Sequence, residues 1–228
     1  IGVNHIVAQT MYNRGIKDLT AARFYVNASS TKIGQWEGNE QVENASRRIM
    51  NAIINKEKIV IYGDFDADGV TSTRIAVLIL EALGATVEPY IPSRIDEGYG
   101  LNTAAIDYLR LKRGAKLIVT VDCGIRSIEE AAYCNAVKTH LIVTDHHNFG
   151  DDIPDAFAVI NPKDKRYTYG DSMLAGAGVS FRFFEYLYHY MVKIAPLSNK
   201  PKIGWDNLRS QAIQLAMIGT VADLVPLQ

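Results

Sequence analysis

The sequence predicts an α/β fold: a doubly wound, mainly parallel sheet of about five strands, with helices on both faces and helical additions at both ends. Three observations lead there. From Lys58 onward, short β-rich apolar runs alternate with helical patterns, the arrangement of strand–helix–strand repeats. The stretches before and after that alternation read as helix alone. With 228 residues, 48% of them hydrophobic and 21% charged, the chain has ordinary globular composition and enough apolar volume for a core.

The elements follow in order. Residues 1–57 form a helical segment expected to pack on the core: Leu19, Ala22 and Tyr25/Val26 fall at helical spacing, as do Val42, Ala45, Ile49 and Ile53. A loop containing Ser29, Ser30, Gly34 and Gly38 separates these two parts. The strands are expected at 59–62, 86–91, 116–121, 140–144 and 156–160. Helices are expected at 75–83, 103–111 and 127–136 between them. Two further helices, at 178–192 and 206–222, close the chain, the second with Asp206 as its expected N-cap. Residues 58–228 therefore form the second and main unit.

Composition narrows the function. A formal net charge of −1 provides no basic field of the kind that draws a protein to nucleic acid, although an active site can still meet phosphates through metals. The longest apolar run, Ile75 to Leu80, is far short of the roughly 20 residues of a membrane helix. The first residues, Ile1 to His5, lack a basic stretch followed by an apolar one, so no secretory signal is expected. Cys123 and Cys134 form neither a C-x-x-C pair nor a disulfide framework. The expectation is a soluble protein of the cytoplasm, with no membrane partner.

Ligands of an open parallel sheet bind beyond the C-terminal ends of its strands. The first expected strand is followed by Asp64-Phe65-Asp66-Ala67-Asp68-Gly69, the third by Asp122-Cys123-Gly124, and the fourth by Asp145-His146-His147. One such aspartate is ordinarily a helix cap or turn residue. Three acidic strand ends on one edge repel one another unless a cation neutralises them. Oxygen ligands with imidazole fit Mn2+ or Mg2+, the histidine favouring Mn2+. A calcium loop is excluded, because a strand precedes Asp64 and no acid follows Asp68 until Glu81. Thr71 and Ser72 read as helix-capping residues. Cys123 reads as a small buried neighbour of Asp122, and His5, His140 and His189 as structural. The aromatic residues from Phe181 to Tyr190 read as core.

The ordered motifs D-F-D-A-D-G, V-D-C-G, D-H-H and G-T-V-A-D, at Gly63–Ser72, Val121–Gly124, Thr144–His147 and Gly219–Asp223, resemble the DHH phosphoesterase superfamily. Their wording is most similar to the RecJ-type single-strand-specific exonuclease branch. Supporting stretches are Pro92-Ser93-Arg94, Glu97 to Asn102, Val159 to Pro162 and Leu174 to Val179. The resemblance implies a two-metal phosphodiester hydrolase, in which ions about 4 Å apart activate water and stabilise the attacking and leaving oxygens. By that resemblance Asp66 and Asp68 each reach one ion, Asp122 bridges them, and His146 and Asp223 complete the ligands of the second ion. His147 and Arg94 meet the substrate phosphate, and Asp145 orients the histidines. Relatives outside this branch have a histidine where Tyr62 stands, so Asp64 is expected to supply the missing ligand.

Three functions compete. The resemblance favours a 5′-to-3′ exonuclease on single-stranded DNA, serving repair and recombination, with a helicase or single-strand-binding protein as partner. A second reading is a hydrolase of short oligoribonucleotides, cyclic dinucleotides or pyrophosphate, and a third is a catalytically silent replication scaffold. The silent reading predicts lost ligands, whereas Asp66, Asp68, Asp122, His146 and Asp223 are all present. Exonucleases of this type continue into a DHH-associated domain and an OB-fold, so the chain is expected to be a fragment of a longer nuclease.

Overall fold

A computed structural model describes residues 2–27, 36–93, 98, 100–196, 201 and 203–226. The loop residues Ser29, Ser30 and Gly34 lie outside the described residues, as do Arg94, Glu97 and Tyr99. Five strands, β1 (Lys58–Gly63), β2 (Thr86–Tyr90), β3 (Ala115–Val121), β4 (His140–Thr144) and β5 (Ala158–Ile160), form one sheet in the order β2-β1-β3-β4-β5. Every pairing is parallel.

Strand residues alternate between two apolar layers, as the two-residue period of a strand requires. Ile59, Ile61, Leu117, Val119, Val121 and Ile142 face one layer, whereas Val60, Tyr62, Ile118, Leu141 and Val143 face the other. The first layer is covered by α3 (Glu40–Ile54), α4 (Ala67–Ala82), α7 (Gly176–Ile194) and α8 (Trp205–Ala222). The second is covered by α5 (Thr103–Asp107), which runs on as a π-helical turn through Tyr108–Lys112, and by α6 (Ile128–Ala136). Both faces are thereby closed, as an all-parallel sheet demands. Helix α3 presents Val42, Ala45, Ile49 and Ile53 to the first layer, the residues its sequence spacing picks out.

The N-terminal segment holds one more helix than its spacing indicates: α1 (His5–Asn13), capped by the Asn4 side chain, precedes α2 (Leu19–Asn27). Its apolar residues Ile6 and Val7 are exposed, so it carries no buried stripe for a periodic pattern to follow. Asp206 does not cap α8; Gly204 holds the cap position and Asp206 sits in the first turn, where its charge favours the helix dipole. Thr71 does not cap α4 either. Its hydroxyl bonds back to the Ala67 carbonyl at 2.8 Å, while Asp66 is the cap, accepting from the Gly69 amide.

Candidate metal centre

The strand order reverses between β1 and β3, which opens a crevice at the C-terminal edge of the sheet. Asp64 leaves β1 on one side of that crevice and Asp122 leaves β3 on the other. Asp66 caps α4 and Asp68 follows in its first turn, Asp145, His146 and His147 follow β4, and Asp223 ends α8. Residues from distant parts of the chain thus meet at one edge.

Two carboxylate-rich groups result. Ligand atoms of Asp64, Asp66 and Asp122 lie within 4.8 Å of one another, and so do those of Asp68, His146 and Asp223. Asp122 joins them, its Oδ1 standing 3.1 Å from His146 Nε2. The same nitrogen is 3.7 Å from Asp68 and 3.8 Å from Asp223. Asp122 Oδ1 and His146 Nε2 are buried, yet neither has a hydrogen-bond partner among the described residues. Buried polar atoms are nearly always satisfied, so an orphaned oxygen and nitrogen facing one another mark a place for a cation. The donors are carboxylate oxygens and one imidazole, the set that suits Mn2+ or Mg2+.

Backbone geometry supports the arrangement. Asp122 adopts φ +62°, a left-handed conformation uncommon outside glycine and tolerated best by Asn and Asp. Gly176 approaches it so closely that a Cβ there would stand 2.4 Å from Asp122 Oδ1. The amides of Gly176 and Ala177, which open α7, donate to the two oxygens of Asp68 at 2.6 and 2.8 Å. A helix N-terminus therefore partly compensates a carboxylate that has almost no access to water. Gly219, on α8, presses from the other side; a Cβ there would fall 2.6 Å from Asp68 Oδ1.

Protonation follows from these surroundings. Burial, reinforced by the charges of Asp68, Asp145 and Asp66, pushes the Asp122 carboxyl up to about 10 without a cation beside it. Burial also raises Asp68, against the pull of the Ala177 and Gly176 amides, and raises Asp64. Burial lowers His146, as does the charge of His147, so His146 is poised neutral, the form that ligates metals. His147 behaves in the opposite way: its bond to Asp145, 2.8 Å from Nδ1 to Oδ1, lifts it to about 9 despite partial burial. Burial opposes ionisation of Asp145, but His147 and the His147 and Ile125 amides hold it below the usual carboxylate range. Asp145 also accepts the His146 amide, so one buried carboxylate fixes both histidines.

Tyr62 does not face the carboxylates. It is wholly buried in the second apolar layer, and its hydroxyl donates to the Gly100 carbonyl at 2.8 Å. Asp64, two residues on, is the side chain that reaches the cluster from this strand. Cys123 is buried beside Asp122, its thiol pushed well above the ordinary range by burial. His140 is structural, accepting from Arg48 Nε at 2.6 Å. Phe181, Phe183, Phe184 and Tyr188 are core residues; Tyr186 and Tyr190 are half-buried and stack on each other, Tyr186 packing against the first apolar layer. The resemblance singled out the stretches that contain Gly176, Ala177 and Asn161 but gave them no role. The structure shows the two amides on Asp68 and Asn161 Nδ2 donating to the His147 carbonyl. The glycines of Gly176-Ala177-Gly178 were the available signal for a close approach.

Fold and site together define a class: a doubly wound α/β domain with a carboxylate–imidazole centre, suited to divalent cations, in its switch-point crevice. Residues 58–220 match the DHH family, N-terminal domain, and the chain belongs to that family. It is 37% identical over 225 residues to the single-stranded-DNA-specific exonuclease RecJ of Bacillus subtilis, a match covering 99% of this chain and 26% of that protein. The RecJ of Escherichia coli is 38% identical over 193 residues, covering 84% of this chain and 33% of that protein. The chain thus spans a quarter to a third of the length of these relatives. A manganese-bound exonuclease RecJ superposes with a TM-score of 0.66 at 32% identity, covering 82% of this chain and 44% of that one. RecJ in complex with Mn2+ from Thermus thermophilus superposes with a TM-score of 0.62 at 27% identity, over 91% of this chain and 28% of that one. Among the described residues no helix is long and apolar enough to cross a membrane.

Proposed function

We propose that the chain is the catalytic part of a metal-dependent phosphodiester hydrolase, acting as a 5′-to-3′ exonuclease on single-stranded DNA and releasing mononucleotides. The observation that carries this reading is the buried, unpartnered pair Asp122 Oδ1 and His146 Nε2 between two carboxylate groups. In it, Asp64, Asp66 and Asp122 would hold one divalent cation, Asp68, His146 and Asp223 would hold a second, and Asp122 would serve both. Mn2+ or Mg2+ would supply an activated water and neutralise charge developing on the phosphoryl oxygens.

The chain's own residues do the rest. His146, kept neutral by burial, offers a nitrogen lone pair. His147, cationic through Asp145, presents a positive donor to a phosphate oxygen where negative charge grows. Asp145 keeps the proton on His147 Nδ1 and turns the ring outward, its side chain 41% exposed. Arg94 is proposed as a second phosphate contact. The names of the RecJ relatives support the choice of single-stranded DNA. The proposal includes residues 1–57 as a helical segment on the catalytic unit of 58–228, further domains that grip the strand, and a helicase or single-strand-binding partner. Two buried free thiols support a reducing, cytoplasmic setting.

The test follows cleavage of a 5′-phosphorylated, 3′-labelled single strand in Mn2+, with RNA and duplex in parallel and Asp122→Ala as control. Products shortened stepwise from the 5′ end, absent in the variant, are expected. Cleavage confined to short oligoribonucleotides or pyrophosphate would transfer the activity to the second class of substrate.

A further inference from the structure

Beside His147 the chain turns through Asn148 and Phe149 into a cleft of about 620 Å³, whose opposite wall is the segment after β5, notably Lys163, Lys165, Tyr167 and Thr168. Acids are fewer here than in the smaller cavity that His147 itself lines, which holds Glu130 and Asp145 beside Arg126. The single acid lining the cleft, Asp164, is neutralised in place. Arg166 grips it with two bonds, Nε to Oδ1 at 3.0 Å and the terminal nitrogen to Oδ2 at 2.7 Å, and the Arg166 amide adds a third. Among the described residues neither Lys163, half-buried, nor Lys165, exposed, makes an ion pair, so the wall keeps two uncompensated positive charges.

The aromatic components are held rather than loose. The Tyr167 hydroxyl accepts from Gln41 Nε2, and Gln41 Oε1 accepts the Val159 amide, which ties the ring to the edge strand β5. The Arg166 guanidinium lies over the same ring, 5.6 Å from its centroid. Phe149 is half-buried against the second apolar layer. Asn161, at the root of the wall, donates to the His147 carbonyl and so fixes the cleft relative to the metal centre. Cations spaced along a groove with rigid rings between them are what a single strand uses, its phosphates meeting lysine and its bases finding a stacking surface.

We propose that this cleft is a binding site for a single-stranded polynucleotide, carrying the strand between solvent and His147, with Lys163 and Lys165 on phosphates and Phe149 and Tyr167 against bases. The proposal rests on the phosphodiesterase reading. It extends it to residues that touch no metal and do no chemistry.

The test pairs two substrates. Anisotropy of a labelled oligothymidylate, measured without divalent ions over a range of salt, reads strand binding. Mn2+-dependent hydrolysis of bis(p-nitrophenyl) phosphate reads the centre alone. In Lys163→Ala/Lys165→Ala the log–log salt slope of binding is expected to shrink by about 1.4, the value for two lost single-strand phosphate contacts. Affinity then changes about sevenfold less between about 50 and 200 mM salt. Hydrolysis of the small diester and the thermal midpoint should match the parent, and Lys163→Arg/Lys165→Arg should restore the slope. An unchanged slope in the alanine variant, or a parent that cleaves the small diester but binds no strand, overturns the cleft proposal and leaves the phosphodiesterase reading standing. A parent inert towards both substrates overturns that reading and the cleft with it.

Discussion

Asp122 concentrates the residue-scale argument, because it is buried, conformationally constrained and surrounded by other carboxylates. Its carboxyl titrates near 3.8 when unfolded and near 10 in the metal-free fold, so between those values the folded state binds the extra proton. Stability contributed this way is complete below the unfolded value and lost as pH rises towards the folded one. In a chelating buffer the thermal midpoint should therefore fall from pH 5 to pH 9, and Mn2+ should flatten the dependence. Asp122→Asn should also reduce it, without metal, leaving the part that His147, raised from 6.5 to about 9, contributes. A slope as steep as the parent's would refute the assignment. Gly176 offers a second test at this scale. Alanine gains about 1 kcal/mol of helix propensity over glycine. A Cβ 2.4 Å from Asp122 Oδ1, however, has nowhere to go, and overpacking costs about 1–3 kcal/mol. Gly176→Ala should lower stability in urea titrations and weaken Mn2+ binding by calorimetry. The carboxylates and histidines from Asp64 to His147 were legible in the sequence because each follows a strand and strand ends converge in a parallel sheet. Asp223, at the end of α8, was picked out only by the family resemblance. The Gly176 and Ala177 donors were not legible, since a backbone amide has no side chain by which to be recognised.

At the scale of elements, β1 shows how one strand divides its tasks. Alternation sends Tyr62 into the second apolar layer and lets Asp64, beyond the strand's end, reach the crevice. Tyr62 holds Gly100, at the close of the segment that connects β2 to α5. Tyr62→Phe removes one hydroxyl from a buried site and should cost about 0.5–1.5 kcal/mol in chemical denaturation. Mn2+ affinity should stay at the parent value, whereas a large loss would make Tyr62 part of the metal centre after all. Strand and helix periods predicted β1 to β5, α5 with its π-helical turn, and α6 to within a few residues. Helix α4, however, begins at Ala67, eight residues before the apolar run at 75–83 that marks it, because its first two turns carry an acid, glycine and hydroxyls instead of an apolar stripe. The periods also fared worse where no buried stripe existed, at α1, and where backbone geometry decided a terminus, as with Gly204 at the start of α8. The π-helical turn after α5 has no signature in residue type and was not foreseen.

For the whole molecule, the doubly wound architecture was readable because the alternation of strand and helix admits few other solutions. The strand order was not readable, since periodicity says what an element is and not which neighbour it pairs with. That order places the crevice between β1 and β3, where the proposed ligands from β1, β3 and β4 meet. Divalent binding should accordingly raise global stability, by about 2.7 kcal/mol when the free ion is a hundredfold above its dissociation constant. A Mn2+ titration followed by differential scanning calorimetry checks this. An unchanged midpoint at saturating metal would mean that the folded state does not bind the ion preferentially, and would refute the centre.

The proposed ligands begin at Asp64 and end at Asp223, so the centre cannot exist in a chain that has only partly found its topology. Contacts so distant along the chain form late, after the loops between them have closed. Metal should consequently act on one side of the kinetic barrier: in stopped-flow experiments Mn2+ should leave the refolding rate unchanged and slow unfolding by the whole of its stabilisation. For this domain the ion would be a lock fitted after the door has shut, setting how long the native state lasts and not how quickly it is reached.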